Sequence, residues 1–451
     1  MFDLVVRNGE VVLPDGVRRT DVGIEGERIA AIGPDLSGGR EIDASGLEVL
    51  PGAIDAHTHM ELAVRGGRSS DDFLSGTVAA ACGGVTTIAD FSVGSHETSL
   101  PQSIEARLAA AARSAIDFTL QGEVVGWESG REDEFALAID LGVRTFKFYL
   151  TYSSSGRMSD DGVLYRAFLT LARLGGRAVV HAENDAIIRA LTEELERKGE
   201  MGIESLARSR PPFCEAEAVA RAGMIALYTG SPLRIAHVSS EVGLRSALAA
   251  RASGVALTIE TCPQYLLLDE RVYSTRDGPQ YAVTPPLRTP GDCRALWQGL
   301  SGGQIDLVAS DHCPFTREEK VFSGSFLDLP YGLPGVETLF PLLYGEGVAR
   351  NRIDLARLAA LTSSGPARAL GIFPQKGAIL PGSDADLVLV DPKDEWTLHS
   401  SDLHMRTDFC PYEGRRLRGR PVLTIARGRV VYDRGEFLGE EGWGRFVPQR
   451  A

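Results

Sequence analysis

Eight apolar runs, each stopping at or beside a polar side chain, punctuate the middle of the chain, and they constrain the fold more than any other feature. They end at His57, Asp90, near Val124, and at Tyr149, His181, His237, Glu260 and Asp311. Helix-like stretches lie between them, among them Asp72 to Cys82, Gln102 to Ser114, Leu164 to Leu174 and Glu215 to Tyr228. Strand and helix alternating in this way predict a (β/α)8 TIM-like barrel, an α/β fold whose parallel strands bring their C-terminal ends to one face.

The two ends of the chain have a different texture. Leu4 to Val6, Glu10 to Leu13, Val22 to Ile24 and Ile29 to Gly33 read as short strands separated by Asn-Gly, Pro-Asp-Gly and Gly-Glu turns. Ala385 to Val390, Pro421 to Ile425 and Arg429 to Tyr432 repeat that pattern near the other end. The expected organisation is therefore a catalytic barrel over 51–375 and a small β-sandwich domain built from 1–50 and 376–451, the latter including a tail.

Composition excludes several classes of partner. A net charge of −14 without a dense basic cluster disfavours nucleic acid and anionic membranes. No apolar run is long enough for a transmembrane helix, and the first residues read as a strand rather than a secretory signal. Six cysteines lie scattered with no C-x-x-C pair, as expected of free thiols in a reducing cytoplasm.

Chemistry concentrates at the ends of the runs. In His57-Thr58-His59, strand alternation puts both imidazoles on one side of the chain. His181, His237 and Asp311 end later runs, and Lys147 lies inside Thr145-Phe146-Lys147-Phe148-Tyr149-Leu150. Nitrogen and oxygen donors without thiolate suit zinc and also admit manganese, cobalt or iron. His96, His399 and His404 lie elsewhere and read as ordinary core or surface histidines. A lysine facing a barrel interior loses hydration, and nearby metal cations make its charge costlier still. Reaction of the neutral amine with CO2 would give a carbamate able to bridge two metals; the alternative is an ion pair with Asp90 or Glu260.

Longer motifs surround these residues. They are Gly52-Ala53-Ile54-Asp55-Ala56-His57-Thr58-His59-Met60-Glu61-Leu62, Ser70-Asp71-Asp72-Phe73, the Lys147 strand, His181-Ala182-Glu183-Asn184 and Ser209-Arg210-Pro211-Pro212. Further on come Glu260-Thr261-Cys262-Pro263-Gln264-Tyr265-Leu266, Thr284-Pro285-Pro286-Leu287-Arg288, Ser310-Asp311-His312-Cys313-Pro314-Phe315 and Pro411-Tyr412-Glu413-Gly414. In this ordered set the chain resembles the cyclic amidohydrolases, and within them the hydantoinase/dihydropyrimidinase group.

The resemblance implies two divalent metals, usually zinc, bridged by the Lys147 carbamate and a hydroxide. One metal would take His57, His59, carboxylated Lys147 and Asp311; the other would take Lys147, His181 and His237. Asp311 would serve as general base and then acid, while Tyr152 would hydrogen-bond the substrate carbonyl oxygen. Thr284 and Tyr331 occupy positions that contact the ring largely through backbone, Tyr331 standing where many relatives have asparagine. The implied substrate is a small cyclic amide, a 5-substituted hydantoin or dihydropyrimidine, opened to an N-carbamoyl amino acid. A homo-oligomer, tetramer or dimer, is also implied.

Dihydroorotase and allantoinase are the nearest enzymatic alternatives. Dihydroorotases usually carry a carboxylate-binding arginine at the position of Glu61, whose charge would repel that substrate. A non-catalytic assembly homologue is the distant alternative, opposed by the filled ligand positions. Arg65 and Arg68 read as solvated, or else as favouring acidic ring substituents. Glu183, Asn184, Cys262 and Cys313 fall near the mouth without an assigned role.

Overall fold

The computed structural model describes residues 1–64, 67–127 and 130–451. Its centre is a sheet of eight parallel strands: Ala53–Thr58, Val85–Phe91, Asp117–Glu123, Thr145–Tyr149, Arg177–His181, Leu233–Ile235, Leu257–Thr261 and Leu307–Val308. The first two and the third and fourth are buried along their whole length, as strands covered on both faces must be. The short eighth strand closes on the first through a parallel bridge between Thr58 and His312. The His59 backbone N–H donating to the His312 carbonyl at 2.8 Å reinforces that seam.

Helix starts follow local chemistry. Asp72, Ser99, Asp160, Asn184, Ser240 and Thr289 each accept a backbone N–H from the first turn of the helix that follows. The stretch expected from Gln102 begins earlier, at Leu100, because Ser99 caps it and Pro101 fits the first turn. It ends at Ala111, short of the expected Ser114.

Both chain ends enter one nine-stranded sheet. Glu48–Pro51 joins them, pairing in parallel with Phe2–Leu13 and antiparallel with Leu387–Thr397. Leu4, Val22, Val49, Leu387, Leu389 and Ile425 share one apolar cluster, so residues from both ends bury each other. The expected turn at Asn8-Gly9 is instead a bulge within a continuous first strand. Asn8 takes a positive φ of 63°, which redirects the strand without ending its ladder. Gly9 passes so near Val49 that an added Cβ would lie 2.5 Å from its Cγ2.

Beyond this sheet the chain returns to the base of the barrel. Val447 donates to the Phe118 carbonyl and packs with Ile54, Ala89, Leu307 and Ala309 under the strands. Beside it Lys376, fully buried, meets Asp117 at 2.5 Å, Asp386 at 2.7 Å and Asp384 at 3.1 Å. This cluster ties the strand-three entrance to the segment that leads into the terminal sheet. Its three carboxylates share that ammonium, with Arg427 meeting Asp117 at 2.9 Å and Arg28 meeting Asp384 at 3.1 Å. Lys376→Met should therefore destabilise the protein by about 3–5 kcal/mol, the cost of breaking a buried ionic cluster from one side. The check is the denaturant midpoint, with loss of the barrel and terminal-sheet signals together.

Candidate active site

The strand ends converge as a parallel barrel requires. His57 ends the first strand region at 1% exposure, and its ring centroid lies 5.1 Å from that of His59 and 5.5 Å from that of His237. His237 in turn stands 4.6 Å from His181. Asp311 Oδ1 approaches His57 Nε2 at 3.2 Å and His59 Nε2 at 3.3 Å. His237, Asp311 and Tyr152 all adopt positive φ, at 38°, 54° and 71°. Left-handed backbone at three non-glycine residues of one site is strain held by the surrounding barrel, and it directs the chain at the strand exits.

Electrostatics prepares these groups to be ligands. Burial pushes His57 down to about 4, and the nearby Lys147 charge adds to that effect against the pull of Asp311 and Glu260. Burial also lowers His181 and takes His237 well below the ordinary imidazole range. Burial thus favours the neutral form of all three rings. Burial works to raise Asp311, but His57, His59 and His237 outweigh it and hold the carboxyl well below its usual range.

Two buried imidazole nitrogens, His57 Nε2 and His237 Nδ1, have no hydrogen-bond partner among the described residues. Donor atoms of His57, His237 and Asp311 lie within 4.8 Å of one another. Buried lone pairs without partners, joined by a carboxylate, fit a divalent cation.

Lys147 is equally buried, at 1% exposure, and burial lowers its pKa to about 8. Its Nζ stands 5.1 Å from the Phe91 ring centroid and 5.4 Å from that of Tyr149. The alternative ion pair with Asp90 or Glu260 does not form. Asp90 instead receives Arg107 Nε at 2.7 Å, Thr58 Oγ1 at 2.9 Å and the Met60 N–H at 2.9 Å. Glu260 faces His57 Nδ1 at 2.7 Å and Arg234 Nε at 3.5 Å.

Glu260 and Glu183 orient the imidazoles. Glu260 engages His57 Nδ1, leaving Nε2 toward Asp311. Glu183 meets His181 Nε2 at 2.7 Å and Arg210 Nη1 at 2.6 Å. Against the effect of its own burial, Arg210 and His181 draw Glu183 down to about 2. Neither carboxylate was given this role from the sequence. A strand-period signal existed for Glu183, two residues past His181, but its partner Arg210 is remote in the chain.

Beside these side chains opens a cavity of about 640 Å³. Tyr152, Thr284 and Tyr331 all line it, so the three residues expected to meet substrate do come together. The Tyr152 hydroxyl lies 2.6 Å from Thr284 Oγ1. The Tyr331 hydroxyl donates to the Phe326 carbonyl at 2.9 Å, which anchors its side chain to the neighbouring loop. Leu62, Val64, Ile188, Phe326, Leu327 and Leu329 provide apolar wall.

Arg68 is not part of the wall. Its guanidinium lies 3.6 Å from Glu61, with the Arg68 side chain 64% exposed, so the pair satisfies itself outside the cavity. Arg65 lies outside the described residues. The remaining histidines also find ordinary partners: His96 meets the Gly156 carbonyl and His399 meets Glu413. Cys82, Glu337 and His404 form a second close group. There Glu337 already accepts both the backbone N–H and Nδ1 of His404 at 2.7 Å, which accounts for the arrangement without an ion.

Comparison with known proteins accords with this geometry. The profile of the Amidohydrolase family matches residues 49–431. The chain belongs to the amidohydrolase family. It is 41% identical to a D-phenylhydantoinase of Escherichia coli O1:K1 / APEC, over 99% of this chain and 98% of that protein. Among solved structures, the D-hydantoinase from a Bacillus sp. AR9 superposes with a TM-score of 0.97 at 35% identity, covering 100% of this chain and 99% of the other. The dihydropyrimidinase from Brevibacillus agri NCHU1002 gives 0.96 at 35% identity, over 99% and 98%.

As an amidohydrolase whose His57 is held by a carboxylate, this protein should retain metal less well when that support is removed. Glu260→Gln should lower metal affinity by about 10–100-fold, the usual effect of losing an outer partner of a ligating histidine. Competition with a chelator, followed by metal analysis, reads the change directly.

Proposed function

We propose that this protein hydrolyses the cyclic amide of a 5-substituted hydantoin or dihydropyrimidine, releasing an N-carbamoyl amino acid. The observation that carries the reading is the pair of buried imidazole nitrogens, His57 Nε2 and His237 Nδ1, that find no hydrogen-bond partner among the described residues, beside a cavity that Tyr152 and Thr284 enter together. Relatives named as hydantoinases and a dihydropyrimidinase along the whole chain support the same substrate class.

The residues present fit two divalent cations, which we take to be zinc from the donor set. His57, His59, Lys147 and Asp311 would hold one, and Lys147, His181 and His237 the other. Bound there, the cations would lower the pKa of water from ~15.7 toward ~7 and polarise the amide carbonyl. Lys147 would serve both positions as its N6-carboxylated form. An amine with its pKa brought to about 8 has a neutral fraction available to add CO2, and carboxylation replaces an unpaired buried cation by an anion.

Asp311, kept ionised, takes the proton of the attacking water. It then gives that proton to the ring nitrogen as the C–N bond breaks, so the carbonyl carbon gains the hydroxyl and the nitrogen gains the hydrogen. Tyr152 stays protonated because burial raises its pKa, and it donates to the carbonyl oxygen as negative charge develops there. Thr284 orients that hydroxyl through the 2.6 Å bond. Thr284 and Tyr331 border the ring, and the apolar wall receives an alkyl or aryl substituent.

The molecule also presents Tyr165, Phe213, Met224 and Tyr228 to solvent on the neighbouring helices Asp161–Leu174 and Pro212–Thr229. We assign this face to a homo-oligomer contact, tetramer or dimer. Six free cysteines agree with a cytoplasmic location. No helix among the described residues is long and apolar enough to cross a membrane.

Ring opening tests the function. Zinc-loaded enzyme with bicarbonate should turn over 5-alkyl or 5-aryl hydantoins or dihydrouracil, followed by absorbance. Turnover of only dihydroorotate or allantoin would overturn the substrate assignment. Lys147→Ala should lose metal and activity together, with short carboxylic acids partly restoring both. Near-normal activity in that variant without added acid would overturn the carbamate. Tyr228→Glu should shift the mass in solution toward the monomer, as measured by light scattering.

A further inference from the structure

Lys320 is a second buried lysine, 2% exposed, in the loop that follows the last barrel strand. Its Nζ donates to the carbonyls of Gln280 at 3.0 Å, Ala282 at 2.9 Å and Gly332 at 2.5 Å. No carboxylate pairs with it among the described residues, so backbone carbonyls alone complete its donor set. These carbonyls belong to two segments far apart in sequence. One runs into Val283 and Thr284, and the other contains Tyr331 and Gly332; all four residues line the active-site cavity.

The Gly332 N–H donates to the Ala282 carbonyl at 3.0 Å, and Lys320 adds a second donor to that same oxygen. Gly332 has a φ of 153°, and an added Cβ would lie 2.4 Å from the Cys313 carbonyl oxygen. One edge of the cavity wall is therefore pressed against the chain just past Asp311, while Lys320 fixes its distance from the Thr284 segment.

We infer that Lys320 is a positioning residue that sets the spacing of the Thr284 and Tyr331–Gly332 backbones and thereby selects the size of ring the enzyme opens. The inference rests on the proposed hydrolysis of a cyclic amide at this site. Five- and six-membered rings differ by one atom in the span between these segments and the catalytic groups. A wall whose two segments are joined by three further carbonyl bonds distinguishes them; one whose segments keep only the Gly332 N–H bond to Ala282 between them yields to either.

The test compares kcat and KM for hydantoin and dihydrouracil in metal-loaded parent enzyme and in Lys320→Met, with metal content measured on both. The parent should favour one ring. In Lys320→Met that preference should fall about tenfold, mainly through KM, while metal content and kcat for the better ring stay within about twofold. A purely structural role would lower both substrates by one common factor, and that result overturns the inference. So does an unchanged preference, or a parent that treats the rings alike. Lys320→Arg retains charge and donors with a bulkier head, and provides a second reading if the methionine variant does not fold. It should move the preference toward the six-membered ring, and an unmoved preference contradicts the assignment. A parent that opens neither ring overturns the proposed function itself, and the inference with it.

Discussion

A buried lysine that makes no salt bridge among the described residues lies in the middle of this barrel, and the site is organised around that constraint. Lys147 is carried inward by a strand whose neighbours on both sides are apolar, and the carboxylates nearest in type are already engaged. Glu260 faces His57 and Arg234, and Asp90 holds Arg107. Burial of an ammonium under those conditions costs free energy unless its charge is removed or reversed. His57 Nε2 and His237 Nδ1 of the same site have no partner among the described residues, so one chemical change, carboxylation with metal uptake, would satisfy the amine and these rings together.

Support for the imidazoles extends outward in layers. Glu183 connects His181 to Arg210, and the Arg210 guanidinium also lies 5.4 Å over the Tyr152 ring. Arg288 reaches from the chain beyond Thr284 to the Arg210 carbonyl and to Ser239 Oγ. A group proposed to hold metal and a group proposed to meet substrate are thus fixed by the same buried arginine. Preorganisation of this kind favours charge development at the carbonyl because the surrounding dipoles need not rearrange during the reaction.

The barrel was legible because each strand had to be apolar along its length and end in a polar group at the same face. Five ligand-type residues at or just past such ends, with Lys147 inside a sixth run, announce their own convergence. Asn8-Gly9 was misread as a turn because the residues that favour turns also favour bulges, and only the ladder continuing past them separates the two. Arg68, read as solvated with a substrate contact as the alternative, is exposed and paired with Glu61, in line with the first reading. Lys320 gave no signal at all. It closes the polar stretch Thr316-Arg317-Glu318-Glu319-Lys320, which reads as a solvated run, and its carbonyl partners lie in segments that only the folded chain brings beside it. Outer contacts such as Glu183 to Arg210 escape periodicity for the same reason.

The most direct test of the central claim is 13C NMR of the metal-loaded enzyme after exchange into 13C-labelled bicarbonate. A carbamate resonance that requires metal and disappears in Lys147→Ala is the predicted result. Active enzyme with two metals bound and no label on Lys147 would contradict it, and would leave that buried amine needing another partner.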